Sequence, residues 1–565
     1  MRATRSAVLL LALCATAPIA GCGRGDAPPP AARGDVGAVG GTLVLTVPGA
    51  PGSLLPPHVR TIPSKQITDL VYERLAEIGP SLNTIGDEDF TPQLARSWSW
   101  SADSLAIAFA LDSAARWHDG QPVTAEDVRF TFALNQDPAA GSGDRQYLRG
   151  IDSVTTRDAH TTVVWFARRY PEQFFDAAAR VSILPSHLLR DVKPADLRSH
   201  PLATAPVGSG RFRFVEAVPN SRVVLAADTA HHLGRPKLDR FVMTIAPDPV
   251  TATTQLLTGN ADMYEGLRLE NMAQVARTPN LVARIGPGTA YSFLAFNLRD
   301  QGDTTRPHPV LGDRGTRRAI AMVVDRQAVV RAVMDTLGVV GVGPFSRALP
   351  VADPATPQVP YSAAGAAALL DSLGWRDANG DGVRERAGRP LSLVLIVPTS
   401  SALRQRIAVA LQQQLATVGI RLEIRQLELN AFQEQMAARR FDLVMGSWVL
   451  TDGSPSGLRS TWGTGGTQNP GGYSNPAFDA QVDSGNAAFD RERRRAHFSR
   501  AFATIAADVP AVWLYEPHNA IAVDRRFETP PLRRTGWWLD LAEWWIPADR
   551  RIDRDRVGLP SVARR

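Results

Sequence analysis

Trp117–Phe132 reads WHDGQPVTAEDVRFTF, and this stretch decides how the rest of the chain is read. Asp119-Gly120 is a tight-turn pair, and Gln121-Pro122 cannot continue a central strand. Thr124 is a good helix N-cap whose hydroxyl can accept from the amide of Asp127. Val123 before the cap and Val128 inside the helix form a hydrophobic staple, while Glu126 and Asp127 set negative charge on the positive end of the helix dipole. Upstream, Leu105, Ile107, Phe109 and Leu111 alternate along a strand that delivers the chain to Trp117. The stretch is therefore a strand, a turn and a capped helix entry.

The pattern W-H-D-G-x-P-V-T-A-E-D-V-x-F resembles the signature of solute-binding protein family 5, the extracellular dipeptide-, oligopeptide- and nickel-binding lipoproteins of ABC importers. The motif speaks to packing and capping, so it bears on fold more than on substrate. Other segments carry the same resemblance: Val71, Tyr72, Glu73 and Leu75 as V-Y-E-x-L on a helix around Gln66–Ala76, and Pro92-Gln93-Leu94-Ala95 with Ser97-Trp98. Pro206-Val207-Gly208-Ser209-Gly210 precedes Arg211 to Phe214 as in the family, and reads as a β-turn because no Lys-Ser/Thr follows and no helix opens. In Asp228 to Asp239, His231 and His232 stand where the family has Tyr and Trp, which reads as packing rings rather than metal ligands.

The chain has 565 residues, too many for one hydrophobic core, so two or three domains are expected. Its 44% apolar and 21% charged residues are those of an ordinary soluble globular protein. Met1 to Gly21 differs: Arg2 and Arg5, an apolar run from Ala7 to Leu13, then Ile19-Ala20-Gly21-Cys22. That is a signal peptide with a lipobox-like end, too short for a membrane span, with Cys22 as the lipidated first residue of the mature chain. Cys14 would leave with the leader, so no intramolecular disulfide is available. Residues 22–40 are Gly-, Pro- and Ala-rich, a flexible tether with a reach of ~20–25 Å. Without Arg2 and Arg5, 60 basic residues face 56 acidic ones, a spread excess of about +4. RERRR at 491–495 reads as a solvated helix face and not as a nucleic-acid patch.

Leu391–Trp448 carries the clearest α/β alternation. LSLVLIV is a buried strand; Leu403, Ile407, Leu411 and Leu415 line a helix ending at Gly419; Ile420, Leu422 and Ile424 form a second strand; Asn430 is expected to cap a helix through Arg439; and FDLVMGSW, from Phe441, is a third strand. Strands separated by helices imply parallel pairing, with ligand bound beyond the carboxyl ends, at Trp448 and the loop after it. In DANGDGVRE, Asp377, Asn379 and Asp381 match the start of a calcium loop whose twelfth position is Gly388. The loop reads as a hairpin turn, with a weak calcium site as the alternative. Trp537, Trp538, Trp544 and Trp545 read as a core strand pair.

The resemblance implies a mixed α/β fold of the type II periplasmic-binding kind, cluster C, with two hinged lobes and an extra small domain. Lobe I is expected at 41–86 with 205–288 and 521–549, the small domain at 87–204, lobe II at 289–520, and a charged tail at 550–565. It further implies an extracytoplasmic, membrane-anchored lipoprotein, a monomer that captures peptides or peptide-like solutes by lobe closure and hands them to ABC permease subunits. Peptide binders of the family carry W-x-x-D-Y-x-x-P; here Trp448 and Pro455 match, Thr451 stands at the Asp position and Asp452 follows it. Further cleft candidates are Tyr72, Tyr291, Phe293, Asn297, Arg459 and Trp462. An oligosaccharide or metal chelate is the alternative ligand. A secreted hydrolase is the remaining alternative; no GxSxG, HExxH, Walker loop or paired Cys motif is present, so no catalytic residue, cofactor, metal or nucleic-acid partner is expected.

Overall fold

Helix Ala125–Gln136 begins where the sequence places it, with Thr124 and Asp127 forming a reciprocal capping box. The Asp127 carboxylate accepts from the Thr124 amide at 2.8 Å and from its hydroxyl at 3.1 Å, and its second oxygen takes the Ser186 amide at 2.8 Å. A buried acid thus ties the helix start to the loop that passes it. The coordinates come from a computed structural model, which describes residues 39–450 and 453–559. The expected leader, Cys22, Thr451 and Asp452 lie outside the described residues.

Helix 125–136 packs on a four-stranded antiparallel sheet in the order Ala95–Trp100, Ala106–Leu111, Thr161–Phe166, Ile151–Asp158. The main sheet is larger. In its first half Thr42–Val47 runs parallel to Arg240–Ile245 and to Met263–Tyr264, and Arg222–Ala227 and Phe212–Val218 extend it antiparallel. In its second half Ser392–Pro398 lies parallel between Arg421–Leu427 and Leu443–Val449, and Ala290–Phe296 joins antiparallel. One strand, Ala511–Asp524, belongs to both halves. Its start pairs with Ser292–Ala295 and its end with Leu281–Pro287.

Alternation along Ala290–Phe296 divides the second half into two cores. Leu294 and Phe296 face one cluster with Ile407, Leu411 and Leu443; Tyr291, Phe293 and Ala295 face another with Trp462, Phe498 and Trp513. The first half shares one core with the small sheet, from Leu43 through Phe109 and Trp117 to Trp544, and has a second cluster around Leu256, Tyr264 and Leu281.

Three local expectations shift. The first helix spans Ile62–Val71, because Thr61 caps it and Pro63 opens it; the chain is extended from Tyr72, so Glu73 and Arg74 leave the helix and Ala76–Ile78 is a strand. Glu428, not Asn430, caps Leu429–Ala437, its carboxylate accepting the Asn430 amide at 2.9 Å. Trp537 and Trp538 begin a 3-10 helix, Trp537–Glu543, rather than a strand pair. Among the described residues no helix is long and apolar enough to cross a membrane.

The two connections between the halves touch. A Cβ on Gly288 would stand 2.6 Å from the carbonyl oxygen of Pro517, so only glycine lets the segment after Leu281–Pro287 lie against the middle of Ala511–Asp524. Gly288→Ala is expected to cost about 1–3 kcal/mol in urea unfolding; a change within error would mean the crossing relaxes freely.

Candidate functional site

A cavity of about 460 Å³ opens between the halves at these crossings. Helix Ile62–Val71 supplies Lys65 and Asp69 to its wall, the next turn of chain Arg74 and Glu77, the small domain Phe175 and Arg180, and the C-terminal segment Trp537 and Trp538. Thr289 and Asn519–Ile521, at the two crossings, complete it with Val449 from a strand end of the second half.

One side of the wall is a chain of paired charges. Asp69 accepts from Arg74 at 2.6 Å and from the Trp538 indole at 2.9 Å, with Lys65 at 3.0 Å, and Arg74 reaches Glu77 at 2.9 Å. Burial would raise the Asp69 carboxyl, but Arg74, Lys65 and the Trp538 N–H bring it down to about 2. Farther round, Arg180 holds Asp176 at 3.0 Å and lies over the rings of Tyr147 and Phe175. Burial nevertheless pushes the Asp176 carboxyl up to about 7, with nearby Glu172 adding to the rise.

Glu265 is different. It follows the short strand Met263–Tyr264 into the cavity wall, where its carboxylate accepts from Gln66 Nε2 at 2.8 Å and from the Trp537 indole. Both donors are neutral, and among the described residues no cation lies within ion-pair distance of it. Burial therefore dominates and raises its pKa, the two hydrogen bonds offsetting only part of the rise. At the same cavity Arg60 and Arg534 are exposed and donate only to backbone carbonyls among the described residues, Arg534 to Ala348 at 2.7 Å.

The residues singled out from sequence sit elsewhere. Tyr291, Phe293, Trp448 and Trp462 come together with Trp513: the Trp462 indole donates to the Tyr291 hydroxyl at 3.0 Å, and Phe293 meets Trp462 at 5.0 Å edge-on and Trp448 at 6.4 Å. This cluster backs the second half, and Trp448 Nε1 is buried there with no hydrogen-bond partner among the described residues. Tyr72 is buried in the other core. Asn297 spends its amide on the carbonyls of Arg439 and Phe441, both at 3.0 Å, and Arg459 pairs with Asp479 and Asp483. None of these seven lines the cavity, whose nearest strand-end residue is Val449. Asp377, Asn379 and Asp381 turn their side-chain oxygens onto the amides of Gly380, Asp381, Gly382 and Val383 at 2.7–3.0 Å. Sequence reasoning passed over Glu265, Arg180 and the Asp69–Arg74–Glu77 series because no local pattern links them. The single signal was Trp537-Trp538, read there as core.

A family model described as bacterial extracellular solute-binding proteins, family 5 Middle, matches residues 89–470. The oligopeptide-binding protein AppA of Bacillus subtilis is 26% identical over 529 residues, covering 90% of this chain and 92% of that one. The solved structure of Bacillus subtilis AppA in complex with a nonapeptide superposes with a TM-score of 0.76 at 24% identity, over 90% of this chain and 99% of that one. Campylobacter jejuni NikZ in complex with Ni(L-His) gives 0.75 at 20% identity, over 89% and 99%. The fold is the mixed α/β, type II periplasmic-binding arrangement.

Asp69 and Asp176 act on stability in opposite directions. Asp69, held below the ordinary value of ~4, contributes stability that is present above that value and lost as pH falls toward 2. Asp176, held above it, contributes stability that is full below pH ~4 and lost as pH rises through about 7. Thermal melts across pH 2–8 should show the acid limb flattened by about 2 kcal/mol in Asp69→Asn, and the decline between pH 4 and 7 removed in Asp176→Asn. Parallel profiles for wild type and both variants would contradict these assignments.

Proposed function

Because the chain belongs to the bacterial extracellular solute-binding proteins of family 5, we propose that it captures a peptide or peptide-like solute in the cavity at the crossings. The observation that carries this reading is Glu265, a carboxylate in a cavity wall with neutral donors and no cationic partner among the described residues. A desolvated carboxylate is costly until a cation joins it. A ligand ammonium supplies that cation, and Arg60 and Arg534 are placed on the same cavity for a ligand carboxylate. A zwitterion of peptide type meets both demands, whereas a neutral oligosaccharide leaves Glu265 uncompensated. The relative bound to a nonapeptide supports the same class.

In this reading the two halves of the main sheet are closing lobes, with 41–86, 205–288 and 521–549 in one, 289–520 in the other, and 87–204 as the attached small domain. Closure traps ligand against Trp537 and Trp538, and the closed form is what a membrane permease receives. Ile19-Ala20-Gly21-Cys22 supports anchoring through a lipid on Cys22. The family is one of substrate-binding proteins, and binding without turnover is the reading that membership supports. Trp448, with its buried indole N–H unpartnered among the described residues beside the end of strand Leu443–Val449, is retained as a candidate that reaches ligand in another lobe position.

Glu265→Gln is expected to weaken a free-amino peptide found by screening by at least about 30-fold, or 2 kcal/mol, because the ammonium loses its partner. It should leave an N-acetylated analogue, already weak, unchanged. Equal affinity for free and acetylated peptides in calorimetry, or tight binding of a neutral sugar, would overturn the peptide reading. The anchoring reading is tested by Cys22→Ser, which should release soluble protein and remove the acyl mass; an unchanged mature mass and location would refute it.

A further inference from the structure

The strongest cluster of metal-ligating groups lies outside the cavity. Glu73 is the second residue past helix Ile62–Val71, and its side chain turns away from the wall that its neighbour Arg74 helps to line. His231 and His232 sit in the loop between strands Arg222–Ala227 and Arg240–Ile245. Glu73 Oε1 is 3.1 Å from His232 Nε2 and 3.4 Å from His231 Nε2, and one ligand atom from each of the three residues falls within 4.8 Å of the others. The two rings are 4.5 Å apart and tilted by 39°. All three side chains are at least nine-tenths buried, and His231 Nε2, aimed into the cluster, makes no hydrogen bond there.

Rings that only pack, the role expected for this pair from sequence, do not need a carboxylate between their nitrogens. We propose that Glu73, His231 and His232 form a binding site for a late first-row divalent cation such as zinc, separate from the solute cavity. Two imidazoles and one carboxylate are a donor set suited to such ions and leave a coordination position open. Asp112 stands behind His232, with Oδ2 3.1 Å from Nδ1, as the outer carboxylate that fixes ring orientation and raises ligand basicity. The backbone amide of Leu233 donates to His231 Nδ1 at 3.1 Å, which orients Nε2 toward Glu73. Taking up the ion exchanges the proton between the nitrogens of this ring, and the Leu233 bond is given up in return.

The location gives the ion something to do. Glu73 follows the cavity-lining helix, the histidines belong to the loop between two strands of the first half-sheet, and Asp112 comes just after strand Ala106–Leu111 of the small sheet. A cation would tie the segment after that helix to the histidine loop of the first half, beside the Asp69–Arg74 wall, and would reach the small sheet only through Asp112 behind His232.

The test is calorimetric titration of zinc chloride into the mature protein after chelator treatment, with thermal melts alongside. One zinc per chain, a rise in Tm, loss of both in His231→Ala and in His232→Ala, and binding weakened about 10–100-fold in Asp112→Asn would establish the site. Near-native circular dichroism of the His231→Ala protein guards against simple misfolding; should it fail, Asp112→Asn, which removes no ligand, decides alone. No zinc uptake by folded wild type, or uptake that His231→Ala, His232→Ala and Asp112→Asn leave unchanged, would overturn the proposal.

Discussion

Everything in this molecule that can move is constrained by one strand serving two half-sheets. Ala511–Asp524 is buried from Ala511 to Glu516 and again from Ala520 to Val523, and emerges only at Pro517–Asn519 between the two runs. Pro517 has no amide to donate, so the ladder is weakest where the strand passes from one half to the other. The second connection comes to the same place, with Gly288 against the Pro517 carbonyl. Glu516 anchors one side of the crossing: its carboxylate accepts the amide of Arg347 at 2.7 Å and the hydroxyl of Ser346 at 3.3 Å, and that hydroxyl is also 2.7 Å from the Gly288 carbonyl. Rotation about a few backbone bonds there would change the separation of the halves, which is how the proposed lobes would hinge.

How much of this could be read from sequence follows from how local each feature is. The capped entry at Trp117–Phe132 and the alternation of strands and helices over Leu391–Trp448 depend on residues a few positions apart, so patterning displays them. The first helix ends early at Val71 for a tertiary reason: the glycines at 208 and 210 lie against its last carbonyls, with the Gly210 amide on the Val71 carbonyl at 2.8 Å, and a longer helix would bury that acceptor in itself. Trp537 and Trp538 were legible as buried but not as cavity-lining, because an indole whose N–H reaches Asp69 or Glu265 has the same local sequence as one that packs. The cavity gathers Asp69, Arg180, Glu265 and Trp537 from four distant segments. No periodicity could have announced it.

The wall's electrostatics separate architecture from recognition. Lys65, Asp69, Arg74 and Glu77 satisfy one another, and Arg74 is the link between the two acids, so its removal would leave Glu77 buried without a cation among the described residues. Such a set holds its geometry whatever the ligand does. Among the described residues Glu265 is met by neutral donors alone, and burial raises its pKa because no cation offsets the desolvated charge. A carboxylate in that condition discriminates by default: a cation relieves it, and a neutral solute that excludes water makes it worse.

One buried contact between the second half and the chain before it is polar, and it bears on how the proposed closure would be reversible. Glu172 of the small domain accepts from Arg494 at 2.6 Å, from Thr84 at 2.5 Å and from Ser454 at 2.8 Å, all of them buried. Arg494 is the one residue of the 491–495 basic run that turns inward, on a helix whose other arginines there are exposed. An apolar interface of the same size would gain free energy simply by leaving water, and would hold the lobes shut with or without ligand. Here the Coulombic gain on closing is set against the dehydration of Arg494 and Glu172, two terms of similar size and opposite sign. The geometry of the pair then fixes where the second half docks while contributing little to whether it docks. In the proposed closure the deciding free energy would then be left to the ligand, which is the condition for a closure that reports occupancy.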